Sequence, residues 1–329
     1  MKIVFMGTPD IAAQCLAAIL EEGRHEVCGV FTREDKPVGR KQVLTAPPAK
    51  QVALAHGIPV FQPKTLRSGE AAEVLRRLAP QLVVVVAYGR ILPPDILALP
   101  QYGCVNLHVS LLPKYRGAAP IQWAVLNGDA ETGVTVMQMD EGLDTGDILC
   151  TRRVPIGPDT TSGELFEQVA GVGAALLCEV LGKIEQGDVH PQKQDGALAT
   201  LAPPLTKEMA RFTFAMPAQK LHNHIRGMNP WPVAYFEHDG KKVKVLKAHP
   251  APGAGVPGTV LAVKPLTVAC ETGALVLETV VPEGKGPMPG EAWALGRRFA
   301  PGALLRAARV RPPCRRWCAQ RRAAIPTLC

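Results

Sequence analysis

The sequence predicts a two-domain α/β protein: an amino-terminal, mainly parallel Rossmann-like sheet covered by helices, then a small β-barrel. Three observations lead there. The chain has 329 residues, long for one domain and about right for two at roughly 100–200 residues each. In its first half, short apolar runs alternate with segments at helical spacing, the pattern of a parallel sheet flanked by helices. Beyond residue 207 the alternation gives way to short β-like runs between Gly and Pro turns, the pattern of a small barrel or sandwich.

Taken in order, Lys2-Ile3-Val4-Phe5-Met6 reads as a short buried strand, and Gly7-Thr8-Pro9-Asp10 turns it into an amphipathic helix through Leu20. Apolar runs at 27–31, 82–87, 104–107 and 134–139 continue the sheet, with helices expected near 46–56, 70–79 and 120–127. Thr161 and Glu164 have capping-box spacing, and Leu165, Val169, Val172, Leu176 and Val180 follow at helical steps, so a long helix is expected to reach Gln186. Residues 1–187 then form the first domain, and 188–207, polar and without period, a linker. Residues 208–305 form the second domain, with strands near 233–236, 243–248, 258–263 and 275–281. The last segment, 306–329, is a basic tail with no helical or strand period.

Composition narrows the function classes. With 47% hydrophobic and 20% charged residues, the chain is that of an ordinary globular protein. Nine scattered cysteines, none in C-x-x-C spacing, argue against a zinc ribbon or thiol redox site and fit a reducing cytoplasm. The apolar run after Met1-Lys2 ends at Met6, too short for a signal segment, and no membrane insertion is expected. The net charge of +8 is uneven: residues 1–206 carry −4 and residues 207–329 carry +12. The basic half is the candidate polyanion surface, although without the tail it carries only +5.

Two stretches carry chemistry. Asn106 and His108 are two apart on an expected strand, so both side chains leave one face near the strand's carboxyl end, where open α/β sheets bind ligands. Ser110-Leu111-Leu112-Pro113-Lys114-Tyr115-Arg116-Gly117 then forms an exposed loop beside them. Further on, Gly133-Val134-Thr135-Val136-Met137-Gln138 runs into Met139-Asp140-Glu141-Gly142-Leu143-Asp144-Thr145-Gly146-Asp147, a loop with four carboxylates. Taken alone, a histidine there is more often structural, and the acidic loop is also open to a calcium-like or solvated reading.

Together, Asn106-Leu107-His108 with Ser110-Leu111-Leu112-Pro113 and Arg116-Gly117, followed by 133–144, resemble the signature of the 10-formyltetrahydrofolate-dependent formyltransferases. The resemblance implies that Asn106, His108 and Asp144 are the catalytic group. Asn106 and a protonated His108 would face the oxyanion formed when an amine attacks the formyl carbon, with Asp144 favouring the imidazolium and helping to remove the amine proton. It also implies that 10-formyltetrahydrofolate, a donor co-substrate, lies along Ser110, Leu111, Leu112 and Pro113 and along Tyr88, Ile91 and Leu92, with the loop of Asp140 enclosing the pterin. No metal is expected.

The acceptor is read elsewhere. Residues 117–122 and 137–147 are similar to the methionyl-tRNA formyltransferase family, and 33–41, with Arg33, Lys36, Arg40 and Lys41, corresponds to that family's basic loop at the tRNA acceptor arm. Ile225-Arg226-Gly227-Met228-Asn229-Pro230-Trp231-Pro232 resembles its carboxyl-terminal domain, an OB-like barrel, with Trp231 read as core. The expectation is a monomeric cytoplasmic enzyme that formylates methionine on initiator methionyl-tRNA for translation initiation. Transfer to a nucleotide-linked amino sugar is the alternative. A nicotinamide dehydrogenase is disfavoured because Gly7 is followed by Thr8-Pro9-Asp10, without the G-x-G-x-x-G that seats a pyrophosphate. A non-catalytic RNA-binding homologue is the remaining class. Val109, where the family has a small residue, and the 306–329 tail depart from its pattern.

Overall fold

The structure, a computed structural model, describes residues 1–39 and 41–305; Arg40 and the 306–329 tail lie outside the described residues. The chain opens with β1 (Lys2–Gly7), α1 (Asp10–Glu22) and β2 (Glu26–Phe31), then a hairpin of β3 (Lys36–Val38) and β4 (Val43–Thr45). α2 (Pro48–Ala55), β5 (Val60–Phe61), α3 (Glu70–Leu78), β6 (Leu82–Val86), α4 (Pro94–Leu97) and β7 (Cys104–His108) follow. α5 (Pro120–Asn127), β8 (Glu131–Gln138), β9 (Ile148–Pro155) and α6 (Ser162–Gln186) complete this part.

The seven strands of its main sheet lie in the order β5-β2-β1-β6-β7-β8-β9. The first five are parallel, and β7–β8 and β8–β9 are antiparallel. Chain order reverses between β1 and β6, so a crevice is expected at their carboxyl ends. Alternation assigns the faces: Ile3 and Phe5 join the core under α1 and α6, while Val4 and Met6 join the one under α3 and α4. β9 escaped the sequence reading because it is a largely exposed edge with Arg152 and Arg153.

α6 starts at the expected capping box, Thr161 accepting from the Glu164 N–H while the Glu164 side chain accepts from the Thr161 N–H. It is long and apolar enough to cross a membrane by length and composition alone. Yet Leu165, Val169, Leu176, Leu177, Val180 and Leu181 are buried in the protein core, each contributing about 1.5–3 kcal/mol by leaving water. α6 is the central helix of this core.

The chain divides into two compact units at boundaries that differ from the expected ones: residues 1–210 with 219–234, and residues 211–218 with 235 onward. Two physical reasons appear. The expected linker is stitched to the first unit, Arg116 N–H donating to Thr200 O (2.8 Å) and Ala202 N–H to Arg116 O (2.7 Å). α7 (Ala218–Gly227) is anchored there too, because buried Arg226 donates to Thr160 O at 2.9 Å and Ser162 Oγ to Gly227 O at 2.8 Å. The whole of the 225–232 motif assigned to the second domain therefore lies within residues 219–234, which pack with the first unit. Trp231, read as core, is 52% exposed: it follows the helix end between two prolines, where no strand or helix turns it inward.

The second unit holds β10 (Tyr235–His238), β11 (Lys241–Ala251), β12 (Val260–Val263), β13 (Leu266–Ala269), β14 (Ala274–Pro282), β15 (Met288–Pro289) and α8 (Gly290–Gly296). Its antiparallel sheet runs β10-β11-β14-β13-β12, with β15 paired to β14. Phe212, Phe214, Phe236, Trp293 and Phe299 pack with ring centroids 5.1–6.0 Å apart, a largely edge-to-face cluster of the favourable kind.

Candidate active site

A cavity of about 560 Å³ opens at the carboxyl ends of β1, β6 and β7, the position the strand order favours. Its wall is mostly apolar, with Ile11, Val86, Leu92, Met137 and Phe166, and it is reached by Asn106, His108, Asp140 and Asp144. That volume falls in the range of small-molecule sites, roughly 300–1,000 Å³.

His108 is 6% exposed, and its Nε2 lies 2.8 Å from the Tyr115 carbonyl oxygen. A carbonyl can only accept, so Nε2 carries a proton in either charge state. Nδ1 therefore decides the chemistry, and it faces Asp144 Oδ2 at 3.7 Å. The neutral ring presents a lone pair there, and the imidazolium presents a second N–H.

Asp144 adopts φ +53°, a left-handed conformation that side-chain-bearing residues keep only when their surroundings impose it. Two contacts do so. Its Oδ2 accepts the Gly117 N–H at 2.7 Å, and its carbonyl accepts Gln194 Nε2 at 2.9 Å. Gly146 completes the turn: a Cβ there would sit 1.7 Å from the Gln138 carbonyl oxygen, so no side chain fits. Asp140 organises the same loop, its Oδ1 accepting from Gly142 N–H at 3.0 Å and Thr145 Oγ1 at 2.7 Å.

Tyr88 is 1% exposed at the cavity wall, and among the described residues its buried hydroxyl has no hydrogen-bond partner. Burial pushes its phenol pKa up, against the opposing pull of Arg90 and Arg33, so the group stays a neutral donor. Ile91, 70% exposed, and Leu92, buried, line the same cavity.

The structure brings Asn106, His108, Asp144, Tyr88, Ile91, Leu92 and Asp140 around one cavity. Ser110, Leu111, Leu112 and Pro113 are not among its lining residues. Ser110 is fully buried, with its Oγ donating to Lys114 O at 2.6 Å, and Leu112 N–H donates to Thr135 Oγ1 at 3.2 Å. These four shape the loop that carries Tyr115 and Gly117. Val109 does line the cavity and packs partly buried against the core.

Arg33 Nη1 donates to the Gly89 carbonyl at 2.8 Å, beside the cavity wall. Lys36 stands exposed on β3, and Lys41 is exposed in the segment between β3 and β4. Val38, Val43 and Leu44 are 56–68% exposed on the same hairpin. Three groups escaped the sequence reading: the Tyr115 carbonyl, the Gly117 amide and Gln194. The first two lie inside a quoted motif, but their roles are backbone roles; Gln194 gave no signal. Among the described residues, no group of three or more His, Cys, Asp or Glu side chains is placed to hold a metal ion.

An amide, an imidazole and a carboxylate at the mouth of an apolar cavity make a site for acyl-type transfer to a nucleophile, where a developing oxyanion needs donors and a proton needs a carrier. The comparisons with known proteins make this specific. A family model described as formyl transferase matches residues 1–181, and one described as formyl transferase, C-terminal domain, matches residues 204–298. The chain belongs to the formyl transferase family. Methionyl-tRNA formyltransferases are among its relatives: that of Myxococcus xanthus is 48% identical over 92% of this chain and 97% of its own length, and that of Citrifermentans bemidjiense 46% identical over 93% and 96%.

Solved structures share the fold at lower identity. An N-formyltransferase from Helicobacter canadensis, in complex with folinic acid and dTDP-3-aminofucose, superposes with a TM-score of 0.64 at 20% identity over 84% of this chain and 98% of its own. HypX from Aquifex aeolicus in complex with tetrahydrofolic acid superposes at 0.61 with 19% identity, over 89% of this chain. This chain spans 47% of that longer protein.

Proposed function

We propose that this protein transfers the formyl group of 10-formyltetrahydrofolate to the amino group of methionine on initiator methionyl-tRNA, in the cytoplasm, for translation initiation. The observation that carries the reading is near-full-length similarity, at 42–48% identity, to methionyl-tRNA formyltransferases. The gathering of Asn106, His108 and Asp144 at one cavity supports it.

The folate donor fits the cavity by chemistry: an apolar wall suits its rings, and Asn106, His108, Asp140 and Asp144 supply the polar groups that reach it. In the reaction the methionyl amine forms a bond to the formyl carbon, and the carbonyl oxygen becomes an oxyanion. The Asn106 amide faces that charge, and His108, its Nε2–H already committed to Tyr115 O, has only Nδ1 left, on the Asp144 side, to exchange a proton. The Asp144 carboxylate, held by the Gly117 amide, accepts the amine proton. When the bond from the formyl carbon to N10 breaks, that proton returns to N10, leaving tetrahydrofolate and formyl-methionyl-tRNA. Arg33, tied to Gly89 at the cavity wall, and the exposed Lys36 and Lys41 of the β3–β4 hairpin supply cations for the acceptor arm.

The test is transfer of labelled formyl from 10-formyltetrahydrofolate to methionyl-initiator tRNA, with dTDP-3-aminofucose offered in parallel. The expected result is formyl-methionyl-tRNA and no formylated sugar. Transfer to the sugar alone would replace the acceptor assignment, and transfer to neither would overturn the reading.

A further inference from the structure

We propose that Gln194 is a positioning residue of this site: its side-chain amide locks the loop that carries Asp144 to the Arg116-Gly117 segment. The proposal rests on the formyl-transfer reading above and assigns a role within that reaction to a segment that the sequence reads as a linker.

All four hydrogen-bonding positions of the Gln194 amide are used. Nε2 donates to Asp144 O at 2.9 Å and to Gly146 O at 2.7 Å. Oε1 accepts Arg116 Nε at 3.1 Å and Arg116 Nη2 at 2.8 Å. The orientation is unambiguous, because a guanidinium only donates and a carbonyl only accepts. Flipping the amide would oppose donors to donors on one side and acceptors to acceptors on the other.

A closed ring results. Gln194 links Arg116 to the Asp144 backbone, and the Asp144 carboxylate returns to the neighbouring Gly117 N–H at 2.7 Å. Both ends of the Gln194 segment are fixed as well: Gln192 exchanges backbone hydrogen bonds with Ile148 at 2.7 and 2.8 Å, and the Thr200 carbonyl accepts the Arg116 N–H at 2.8 Å. Gln194 is half-buried and is not among the cavity-lining residues. It therefore acts through Asp144, whose left-handed backbone persists only while its surroundings impose it.

Two substitutions separate positioning from bulk. Gln194→Leu removes donors and acceptor together. Gln194→Glu keeps the length and an acceptor for Arg116 but turns lone pairs toward the Asp144 and Gly146 carbonyls. Both are expected to lower kcat about 100-fold, the scale of a misplaced catalytic group, with KM for 10-formyltetrahydrofolate within about twofold. The Gln194→Glu activity, relative to wild type, is expected to rise as pH falls, since a protonated carboxyl regains a donor; a purely structural role gives no such profile.

Amide hydrogen exchange supplies a readout independent of turnover. The Gly117 N–H is expected to exchange at least tenfold faster in both variants, with Val84 in the sheet unchanged. If Gln194→Leu does not fold, Gln194→Glu alone decides. Unchanged Gly117 exchange overturns the proposal, and faster exchange with wild-type kcat overturns its catalytic part. Should wild type formylate no tRNA, the functional reading fails on its own, and the exchange result still shows whether Gln194 holds Asp144.

Discussion

The strand-borne and loop-borne sides of the cavity are held by different means. Asn106 and His108 stand on β7, whose backbone is paired on one side with β6 and on the other with β8, so the main sheet fixes their spacing. Asp144 stands in a loop with φ +53° and is held by two contacts from distant positions, Gly117 N–H and Gln194 Nε2, in a turn where Gly146 packs closely against Gln138. The difference teaches that the strand-borne groups inherit rigidity from the fold, while the loop-borne carboxylate depends on a few identifiable hydrogen bonds.

Substitutions sharpen that contrast. Asp144→Asn keeps an oxygen for the Gly117 amide but removes the charge and the proton acceptor, so single-turnover formyl transfer is expected to fall by about 10²–10⁴-fold, the usual range for lost acid–base help. Circular dichroism should remain that of wild type, because the fold does not depend on the carboxylate. On the strand side, Asn106→Ala is expected to cost about 10²–10³-fold, or ~2.7–4 kcal/mol of transition-state stabilisation, as for one oxyanion donor. A loss confined to folate KM at either position would break the comparison, since it would place that side chain in ground-state binding alone.

The smallest expected effect concerns stability and pH. Burial holds the pKa of His25, His224 and His238 below the ordinary histidine value, the amino terminus adding to the effect at His25. Between those lowered values and about 6.5 the unfolded chain binds more protons than the folded one, so stability rises with pH across that window. The melting temperature is therefore expected to fall as pH drops from 7.5 to 5.5. A flat or rising melting temperature over that interval would contradict the burial of these rings.

Much of the sheet was legible because periodicity reports burial. Ile3, Val4, Phe5 and Met6 are all fully buried, and the capping box of α6 lies at Thr161 and Glu164 as its spacing suggests. Asn106 and His108 were legible for the same reason: a two-residue step on a strand puts both on one face. What stayed hidden is held by non-periodic contacts. Gln194 reaches carbonyls 48 and 50 residues away, and the buried guanidinium of Arg226 ties α7 to Gly157 and Thr160 in the first unit. Neither leaves a local pattern. Ser110 shows the converse limit, since a serine beside the site suggests a ligand contact while its hydroxyl is used within its own loop.

The most direct test of the account is single-turnover formyl transfer from 10-formyltetrahydrofolate to methionyl-initiator tRNA by wild type and His108→Ala. The account predicts that wild type forms formyl-methionyl-tRNA and that the variant, folded and still binding folate, is slower by at least about 10²-fold. Equal rates in the two proteins would contradict it.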